Sequence, residues 1–339
     1  MKRAAVVILN WNGRQLLEQF LPSVYKHTSL DDADVIVADN GSTDDSIAYL
    51  REYHPQVTIH ILAENYGFAE GYNRVLADLQ YEYVVLLNSD VEVGPDWLRL
   101  AIDYLDVHPE ISALQPKILS HRNKDSFEYA GAGGGFLDKY GYPFCRGRIL
   151  GTLEKDFGQY NDVVPILWAS GACLVIRLQD YKGAGGLDAG FFAHQEEIDL
   201  CWRLNARGKK IVCYPPSYVY HVGGATLDKE NPKKTYLNFR NNLLMLYKNL
   251  PKEIYTKVMV SRFFLDYLSA IHFILKGNFQ NALAVYKGRR DFKKLKMRYE
   301  IIRENNLKES TVEMPETIYG KSIIRQYYLN KKRKYSQLK

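Results

Sequence analysis

The chain has 339 residues, of which 46% are hydrophobic and 25% are charged. This is the composition of a globular protein, and it excludes wholesale disorder and fibrous architectures. The formal net charge of +6 hides an asymmetry. Residues 1–250 carry a net charge of −6, whereas residues 251–339 hold 20 basic and 8 acidic side chains, a net charge of +12. A basic terminal segment of this size predicts an anionic partner.

The cysteines and the apolar runs indicate a cytoplasmic protein. Four cysteines without a Cys-X-X-Cys spacing suggest neither a disulfide framework nor a zinc site, so buried thiols are expected. The six apolar residues near the N-terminus are too few for a signal-peptide core. The best candidate for a membrane span, 254–275, is interrupted by Lys257, Arg262 and Asp266 and lacks the roughly 18 consecutive apolar residues required. Peripheral binding to the inner face of a membrane is the further alternative.

The first half of the chain alternates between strand and helix patterns. Strands are predicted at 4–9, 35–38, 57–62 and 83–87, and helices at 14–27, 44–53, 68–79 and 95–107. Alternation with helices of this length predicts right-handed βαβ units and a mainly parallel sheet. Continuous apolar runs such as Val84-Val85-Leu86-Leu87 are typical of strands covered on both faces.

The second half has a different pattern. The segment 119–160 is rich in Gly and Tyr and predicts loops with a hairpin. Further strands are predicted at 166–169, 172–176 and 211–214, and further helices at 196–207, 235–250, 252–276 and 279–305. A polar, basic end follows the last helix.

Polar segments follow each of the first four predicted strands. These segments are Asn10-Trp11-Asn12-Gly13, Asp39-Asn40-Gly41-Ser42-Thr43-Asp44, Glu64 to Asn73, and Asn88-Ser89-Asp90. Ligands of open parallel sheets bind at the carboxyl ends of the strands, so we expect a polar ligand there. The dinucleotide fingerprint and the Walker loop are both missing at this position, which argues against an NAD enzyme or a P-loop NTPase.

Six motifs in this order resemble those of family 2 glycosyltransferases. The four strand-end segments are followed by Ser170-Gly171-Ala172-Cys173 and by Phe191-Phe192-Ala193-His194-Gln195-Glu196-Glu197-Ile198-Asp199-Leu200. The resemblance covers about residues 4–247 and is strongest to the rhamnosyltransferase-like branch. It implies the α/β GT-A fold, an open, mainly parallel twisted sheet flanked by helices, and inverting transfer from a nucleotide-diphosphate sugar.

The domain division follows from the resemblance and the charge. We predict a GT-A catalytic domain at 1–250, made of a nucleotide-sugar-binding half at 1–117 and an acceptor half at 118–250. Residues 251–339 are predicted to form a basic, helical C-terminal extension.

Asp39 is the predicted reader of the nucleotide base. A carboxylate at a strand end can accept a hydrogen bond from a pyrimidine ring N–H, and the resemblance implies this role. The alternative is an Asx turn, because Asn40-Gly41-Ser42 is turn chemistry. Asp44 fits the alternative role of helix cap better.

Other contacts to the nucleotide sugar are expected from Asn10, Asn65, Gly67 and Asn73. Gly67 lies where the backbone would pass close to a ligand, and the helix that follows could face an anion with its N-terminus. A tight strand-to-helix turn is the alternative explanation for the same residues.

Asn88-Ser89-Asp90 stands in the place of the family's Asp-X-Asp motif. A divalent cation, Mg²⁺ or Mn²⁺, would neutralise the diphosphate leaving group. We expect Asp90 to bind this cation and Asn88 to bind ribose or phosphate. His221 is the predicted nitrogen ligand, and imidazole suits Mn²⁺ better than Mg²⁺. The alternatives are a capping turn at Asn88–Asp90 and an ordinary core or surface histidine.

The predicted catalytic base lies at the start of a helix. Inverting transfer needs a carboxylate that takes the proton of the acceptor hydroxyl. Related enzymes usually carry Glu-Asp here, and the second acid, Glu197, aligns with their base, with Glu196 as the alternative. Acids in the first turn also favour the helix dipole, and Asp199 with Arg203 forms an i,i+4 pair that supports the helix.

The resulting prediction is a metal-dependent inverting glycosyltransferase. The expected donor is a dTDP- or UDP-sugar, with dTDP-rhamnose as a candidate, and the expected acceptor is a saccharide or lipid-linked saccharide in cell-surface polysaccharide synthesis. Arg240 resembles a phosphate contact of the family, with a solvated helix face as its alternative. A non-catalytic nucleotide-sugar-binding protein is the rival function. A sugar-nucleotide pyrophosphorylase would need a basic, Gly-rich loop after the first strand, which is missing.

The basic extension combines two features of membrane-binding helices. Seven Lys and Arg residues crowd 287–298, and Phe263, Phe264, Leu268 and Leu275 recur nearby at helical spacing. Such a stretch suits an anionic membrane surface. Helices that pack on the catalytic domain with a solvated basic side are the equal alternative, and no nucleic-acid-binding motif is recognised.

Overall fold

The computed structural model describes residues 2–223 and 231–338, and two sheets organise this part of the chain. The strands are β1 (Ala4–Asn10), β2 (Ala33–Asp39), β3 (Thr58–Ile61), β4 (Tyr83–Asn88), β5 (Val91–Val93), β6 (Ile111–Ser120), β7 (Gly135–Leu137), β8 (Pro143–Cys145), β9 (Arg148–Ile149), β10 (Thr152–Leu153), β11 (Val164–Pro165), β12 (Cys173–Arg177) and β13 (Lys210–His221). The helices are α1 (Arg14–His27), α2 (Ser46–Tyr53), α3 (Gly67–Ala77), α4 (Trp97–Val107), α5 (Leu178–Gly183), α6 (Glu196–Ala206), α7 (Pro232–Asn249), α8 (Lys252–Leu275), α9 (Phe279–Leu295), α10 (Glu300–Glu309) and α11 (Ile323–Tyr328).

The large sheet has nine strands and is mainly parallel. Its order is β11-β13-β6-β12-β4-β1-β2-β3, with β5 paired to β13. The strands β4, β1, β2 and β3 are parallel to their neighbours in this group, as are β6 and β13. Strand β12 runs antiparallel to both β4 and β6 and joins the two parallel groups. The expected α/β architecture is confirmed.

The apolar runs form strands because the sheet is covered on both faces. In β4, Val84 and Leu86 enter one core and Val85 and Leu87 enter the other. All four side chains are fully buried. A strand between two cores must be apolar at every position, which explains why the run lacks the alternation of a half-exposed strand.

The second half corrects three predictions. The segment 166–169 is not a strand and contributes one isolated bridge, between Trp168 and Gly135. Strand β6 was not predicted because Gln115, Pro116 and Lys117 interrupt its apolar pattern, although all three are buried. Strand β6 is continuous through residue 117, where the predicted division into two halves falls, and that division stays a prediction. Strand β13 extends seven residues beyond the predicted end at 214 and reaches His221.

The Gly- and Tyr-rich segment forms the small sheet β7–β10, whose paired strands are all antiparallel. This agrees with the expected hairpin. The basic extension begins with α8 and α9, which pack against each other, and α9 also packs on α7. The predicted helix 279–305 is divided by a 3₁₀ turn at Lys296–Tyr299. Farther on, the chain returns to the small sheet, where the Ile323 amide donates to Asp138 Oδ2 at 2.8 Å.

Candidate functional site

The sheet brings three of the polar strand ends side by side. In the registers of β1 with its neighbours, Asn10 pairs with Asp39 and Leu9 pairs with Asn88. The Asn10 amide nitrogen Nδ2 donates to Asp39 Oδ2 at 3.1 Å, and both side chains are fully buried. The expected meeting of these residues at one edge of the sheet is confirmed.

Asp39 forms a turn with the residues that follow it, and it lies beside a buried Asn10 oxygen that has no hydrogen-bond partner. Its Oδ1 accepts a hydrogen bond from the Ser42 amide at 2.9 Å, which is the turn that the sequence left as an alternative. The Asn10 Oδ1 atom beside it is buried and has no hydrogen-bond partner. Buried polar atoms without a partner are uncommon, so Asn10 Oδ1 marks a place where a ligand N–H or O–H can donate. A Cβ on Gly13 would lie 2.4 Å from this oxygen, so a side chain at position 13 would clash with Asn10.

The turn before α3 is held by its own side chains. Asn65 Oδ1 accepts from the Gly67 amide at 2.9 Å and from Asn40 Nδ2 at 3.2 Å. Gly67 has φ +78°, and a Cβ there would lie 2.6 Å from the Phe192 ring. The Phe68 amide donates to the Phe192 carbonyl at 2.8 Å. The close approach predicted at Gly67 is therefore made by Phe192, and one N-terminal amide of α3 is already engaged.

Asn73 is occupied by contacts within the protein. Its Oδ1 accepts from the Tyr181 hydroxyl at 2.7 Å and from the Leu187 amide at 3.0 Å. Its Nδ2 donates to the Leu187 carbonyl at 2.8 Å. These bonds tie α3 to the segment that leads to α6, and a contact of Asn73 with the nucleotide stays a prediction.

His221 lies between two carboxylates. Pairing of β13 with β5 brings its Nε2 to 3.1 Å from Asp90 Oδ1, and its Nδ1 lies 3.4 Å from Glu128 Oε2. Asn88 Nδ2 is 3.4 Å from the same Nε2. Burial opposes protonation, but hydrogen bonds to Asp90 and Glu128 outweigh it and raise the pKa of His221 to about 10. Burial likewise opposes ionisation of Asp90, yet the hydrogen bond from His221 lowers the pKa of Asp90.

Glu128 was missed by the sequence analysis. It lies in the Gly- and Tyr-rich segment, outside every motif, and its side chain is 6% exposed. No spacing rule connects it to His221, which is 93 positions away in the chain. Only the fold places this carboxylate at the imidazole.

Asp90 and His221 have donor atoms that a divalent cation can take, a carboxylate oxygen and an imidazole nitrogen. In this structure Asp90 Oδ1 and His221 Nε2 lie 3.1 Å apart and form an ion pair with each other. No group of three His, Cys, Asp or Glu residues suited to a metal occurs in the described part of the chain. A bound ion would take its other ligands from phosphate and water, and it would require His221 to lose its proton.

The loop before α6 has an unusual backbone. Phe192, His194 and Gln195 have φ values of 65°, 70° and 77°, in the left-handed region that non-glycine residues rarely adopt. Each such residue costs on the order of 1–3 kcal/mol and persists only where its surroundings enforce it. Asn241 does so here, because its Nδ2 donates to the carbonyls of Phe191, Ala193 and His194 at 2.8–3.0 Å.

Arg240 binds the backbone at the N-terminal end of the same loop. Its Nη2 donates to the carbonyls of Gly190 and Phe191 at 3.0 and 3.1 Å. The guanidinium is therefore engaged by backbone, and its predicted contact with phosphate stays a prediction. Sequence analysis gave Asn241 no role, although it adjoins Arg240 in the segment that the resemblance singled out.

Helix α6 begins with two acids whose side chains have a free buried oxygen. Oε2 of Glu196 and Oε2 of Glu197 are both buried without a hydrogen-bond partner. Burial raises the pKa of Glu197 to about 7. Burial, followed by the charge of Glu197, raises the pKa of Glu196 well above its usual value. A pKa of about 7 suits a base that works at neutral pH.

A buried ionic network fixes α6 behind these acids. Asp199 is fully buried and accepts from Arg203 Nε at 3.0 Å, which is the expected i,i+4 pair. It also accepts from Lys248 Nζ and Asn249 Nδ2, both at 2.8 Å. Burial alone would raise the pKa of Asp199, but Lys248 and Arg203 lower it below the usual value. Asp199 thus stays charged and binds α6 to α7.

The contact of Phe192 with Gly67 and Phe68 joins the acidic helix to the strand ends. The site therefore has three parts: the Asn10–Asp39 pair, the Asp90–His221–Glu128 group, and the acids at the start of α6. Such an arrangement can bind a polar, anionic ligand and take a proton from a second one.

Comparison with known proteins gives a match to a family model and a likeness in fold. Residues 5–149 match the model of glycosyl transferase family 2. The chain is 29% identical over 234 residues to an N-acetylglucosaminyl-diphospho-decaprenol L-rhamnosyltransferase of Mycobacterium tuberculosis, covering 64% of this chain and 75% of the relative.

Two solved structures are similar in fold. GalNAc-T7 with UDP, GalNAc and Mn²⁺ has a TM-score of 0.59 at 16% identity, over 89% of this chain and 57% of that chain. The mannosyltransferase PcManGT of Pyrobaculum calidifontis, in complex with GDP-Man and Mn²⁺, has a TM-score of 0.51 at 16% identity, over 90% of this chain and 86% of that chain. At this identity the likeness shows the fold alone, which is GT-A.

Proposed function

This chain carries a glycosyl transferase family 2 domain on a GT-A fold, and from this premise we propose that it is an inverting sugar transferase that depends on a divalent cation. The observation that carries the proposal is Glu197, a carboxylate with a free buried oxygen and a pKa of about 7. It lies in the first turn of α6, directly after the loop that contacts the donor half through Phe192.

We assign the nucleotide to the strand ends. Asn10 Oδ1 is a buried acceptor without a partner, next to Asp39. It can accept a ligand N–H that would otherwise lose a hydrogen bond to water on binding. Asn88 lies on the neighbouring strand and can donate to ribose or phosphate.

Asp90 and His221 would hold the divalent cation, either Mg²⁺ or Mn²⁺. When bound, it supplies positive charge that stabilises the leaving diphosphate. Glu128 Oε2 lies 3.4 Å from His221 Nδ1 and would orient the imidazole by its charge.

The chemical step needs one base. Glu197 accepts the proton of the acceptor hydroxyl while the hydroxyl oxygen bonds to the anomeric carbon. The bond from that carbon to the diphosphate oxygen breaks at the same time, and nucleoside diphosphate leaves with the electron pair. Inversion follows because the attacking and leaving oxygens are on opposite sides of the sugar carbon.

The substrates follow from the similarity to the rhamnosyltransferase. Its name gives an L-rhamnose donor and an N-acetylglucosaminyl-diphospho-decaprenol acceptor. We propose a dTDP- or UDP-sugar, with dTDP-rhamnose first, and a saccharide or lipid-linked saccharide acceptor. Polysaccharide synthesis at the inner face of a membrane is the setting that these substrates suit.

The test is donor turnover by the full chain. Release of nucleoside diphosphate is measured with dTDP-, UDP- and GDP-sugars, with Mg²⁺, Mn²⁺ or EDTA. We expect turnover of at least one donor, loss of it with EDTA, and loss in Glu197→Gln with donor affinity unchanged. Glu304→Gln, an exposed glutamate on α10, is the matched control and should be fully active.

Three results would decide against parts of this proposal. Full activity of Glu197→Gln together with an inactive Glu196→Gln would move the base to Glu196. Full activity in EDTA would remove the cation. Donor binding by the wild-type protein without turnover on any acceptor would favour the non-catalytic, nucleotide-sugar-binding alternative.

A further inference from the structure

From Val260 to its end, helix α8 has its two charged side chains buried and most of its large apolar side chains exposed. Arg262 and Asp266, in the middle of the helix, are 1% and 0% exposed. Phe264 is 67% exposed, and Leu268 is 59% exposed. Between Val260 and Leu275 the exposed residues are all apolar except His272. This is the reverse of the pattern on a helix that faces water.

The inward charges fix this orientation. Arg262 Nε donates to Asp266 Oδ1 at 3.0 Å, and the Tyr142 hydroxyl donates to the same oxygen at 2.8 Å. Arg289 of α9 donates to the other oxygen, Oδ2. Rotating α8 to bury its apolar face would break these bonds and leave the buried charges of Arg289 and its neighbours without partners. The apolar face is therefore held outward.

Helix α9 extends the apolar surface and then becomes basic. Phe279, at its start, is 66% exposed, and Leu283 and Tyr286 are each 50% exposed. The next exposed positions on this helix are Lys287, Arg290, Lys293 and Lys294. We call the outward apolar residues of α8 and α9 the hairpin face, and these four cations the basic collar.

We propose that the hairpin face docks on an anionic lipid bilayer, with its apolar side chains below the headgroups and the basic collar against the lipid phosphates. An apolar surface adjoining a row of cations matches an interfacial helix on anionic lipid. Lys252–Leu275 is long and apolar enough to cross a membrane by length and composition, with 22% of that window buried. Its ion pairs to Arg289 and its packing on α9 favour a position along the surface.

A second copy of the chain is a poorer occupant of this surface. Two hairpin faces packed together would bring two basic collars near each other, and like charges repel. An anionic bilayer pairs with the same cations. Docking would hold the transferase at the surface where a lipid-linked acceptor resides, a consequence that rests on the proposed function, whereas docking itself does not.

The test is flotation of the full chain with vesicles. Vesicles of phosphatidylcholine with phosphatidylglycerol are compared with vesicles of phosphatidylcholine alone. We expect binding to the anionic vesicles, weakened by high salt, and little binding to the neutral ones. Phe263→Ser/Phe264→Ser should lower the partition coefficient by about ten-fold or more, because both rings leave the lipid. Lys293→Glu/Lys294→Glu should lower it as well.

Matched controls use equally exposed residues elsewhere. Phe157→Ser removes a ring that is 82% exposed, and Lys26→Glu/Lys321→Glu makes the same charge change outside the collar. Both controls should bind as wild type does. Absence of wild-type binding to anionic vesicles would overturn the proposal, and so would unchanged binding by the Phe263/Phe264 variant. If the wild type forms a dimer and binds no vesicles, and the Phe263/Phe264 variant is monomeric, the surface would be assigned to a second copy instead.

Donor turnover separates this proposal from the proposed function. The Phe263→Ser/Phe264→Ser variant should retain wild-type turnover of a soluble donor, since neither ring touches the site residues. Loss of vesicle binding with normal turnover supports docking alone, and an inactive wild type that still floats would leave docking intact.

Discussion

At the residue scale, Glu197 carries a cost in stability that its proposed role explains. Its free oxygen is buried, and burial raises its pKa to about 7 from the usual 4.5. A carboxyl whose pKa is higher in the folded state than in the unfolded state lowers the free energy of unfolding at pH values at which it ionises. The stability cost is therefore absent below about pH 4.5, grows as the pH rises, and is complete above about pH 7.

We predict that Glu197→Gln raises the free energy of unfolding at pH 8, on the order of 2 kcal/mol, and changes it little at pH 4.5. The measurement is denaturant unfolding at the two pH values. The exposed Glu304→Gln should show no such difference. Equal effects of Glu197→Gln at both pH values would mean that this carboxyl is not ionising against burial.

The same ionisation predicts the pH profile of activity. A base must be deprotonated, so kcat/KM should rise with pH and level off above about pH 7, the pKa of Glu197. The measurement is the initial rate at subsaturating acceptor with donor and cation in excess. A profile that is flat from pH 5.5 to 8 would contradict assignment of the base to Glu197.

At the element scale, the loop from Phe192 to Gln195 is held in a strained conformation by α7. Asn241 Nδ2 lies 2.8–3.0 Å from three carbonyl oxygens of this loop and shares its two N–H groups among them. The net value of these hydrogen bonds is roughly 0.5–1.5 kcal/mol each, enough to oppose part of the left-handed strain. The acids of α6 follow this loop directly, so their position depends on it.

We predict that Asn241→Ala lowers kcat by about ten-fold or more with a small change in donor affinity, and lowers the free energy of unfolding by about 2 kcal/mol. Donor titration and single-turnover rates separate the two effects. Asn305→Ala, at an exposed asparagine of α10, is the control. Weakened donor affinity with unchanged kcat would show that the loop serves the donor and not the base.

At the scale of the whole molecule, the C-terminal extension shares a hydrophobic core with residues 1–250. Asp138 of the small-sheet region accepts from the Ile323 amide, and Tyr319 donates its amide to the Leu137 carbonyl at 2.8 Å. Ile323 is fully buried in the core that also contains Leu137 and Phe144. Removal of residues 251–339 would therefore open this core, so point variants are the better test of what the extension does.

We predict that Ile323→Ala lowers the free energy of unfolding of the whole chain by about 2–4 kcal/mol. All four tryptophans lie in residues 1–250, so their fluorescence reports on that region alone. Its unfolding midpoint should shift to lower denaturant in Ile323→Ala and stay in place in Ile301→Ala, an exposed control. An unshifted tryptophan transition would make the extension a separate folding unit.

The sequence by itself determined the parallel half of the fold and the residues at its strand ends. Both depend on local patterns: an apolar run makes a strand wherever two faces are covered, and a motif such as Asn88-Ser89-Asp90 occupies a few consecutive positions. The order of the motifs was sufficient to show the resemblance to family 2 glycosyltransferases, whose model matches residues 5–149. Strand β6 was not predicted because Gln115, Pro116 and Lys117 are typical of a loop, and their burial in the sheet is not visible in the sequence.

Only the tertiary structure decided what depends on partners far apart in the chain. It placed Glu128 beside His221, and it put the Phe192 ring over Gly67, where a ligand was expected. It also brought Asn241 into hydrogen-bond contact with the loop before α6. It also decided which side of α8 faces out. Helical periodicity places the apolar side chains of α8 on one face but does not say which face is buried. Here hydrogen bonds from Arg289 and Tyr142 hold Asp266 in the interior, so the apolar face of α8 is exposed.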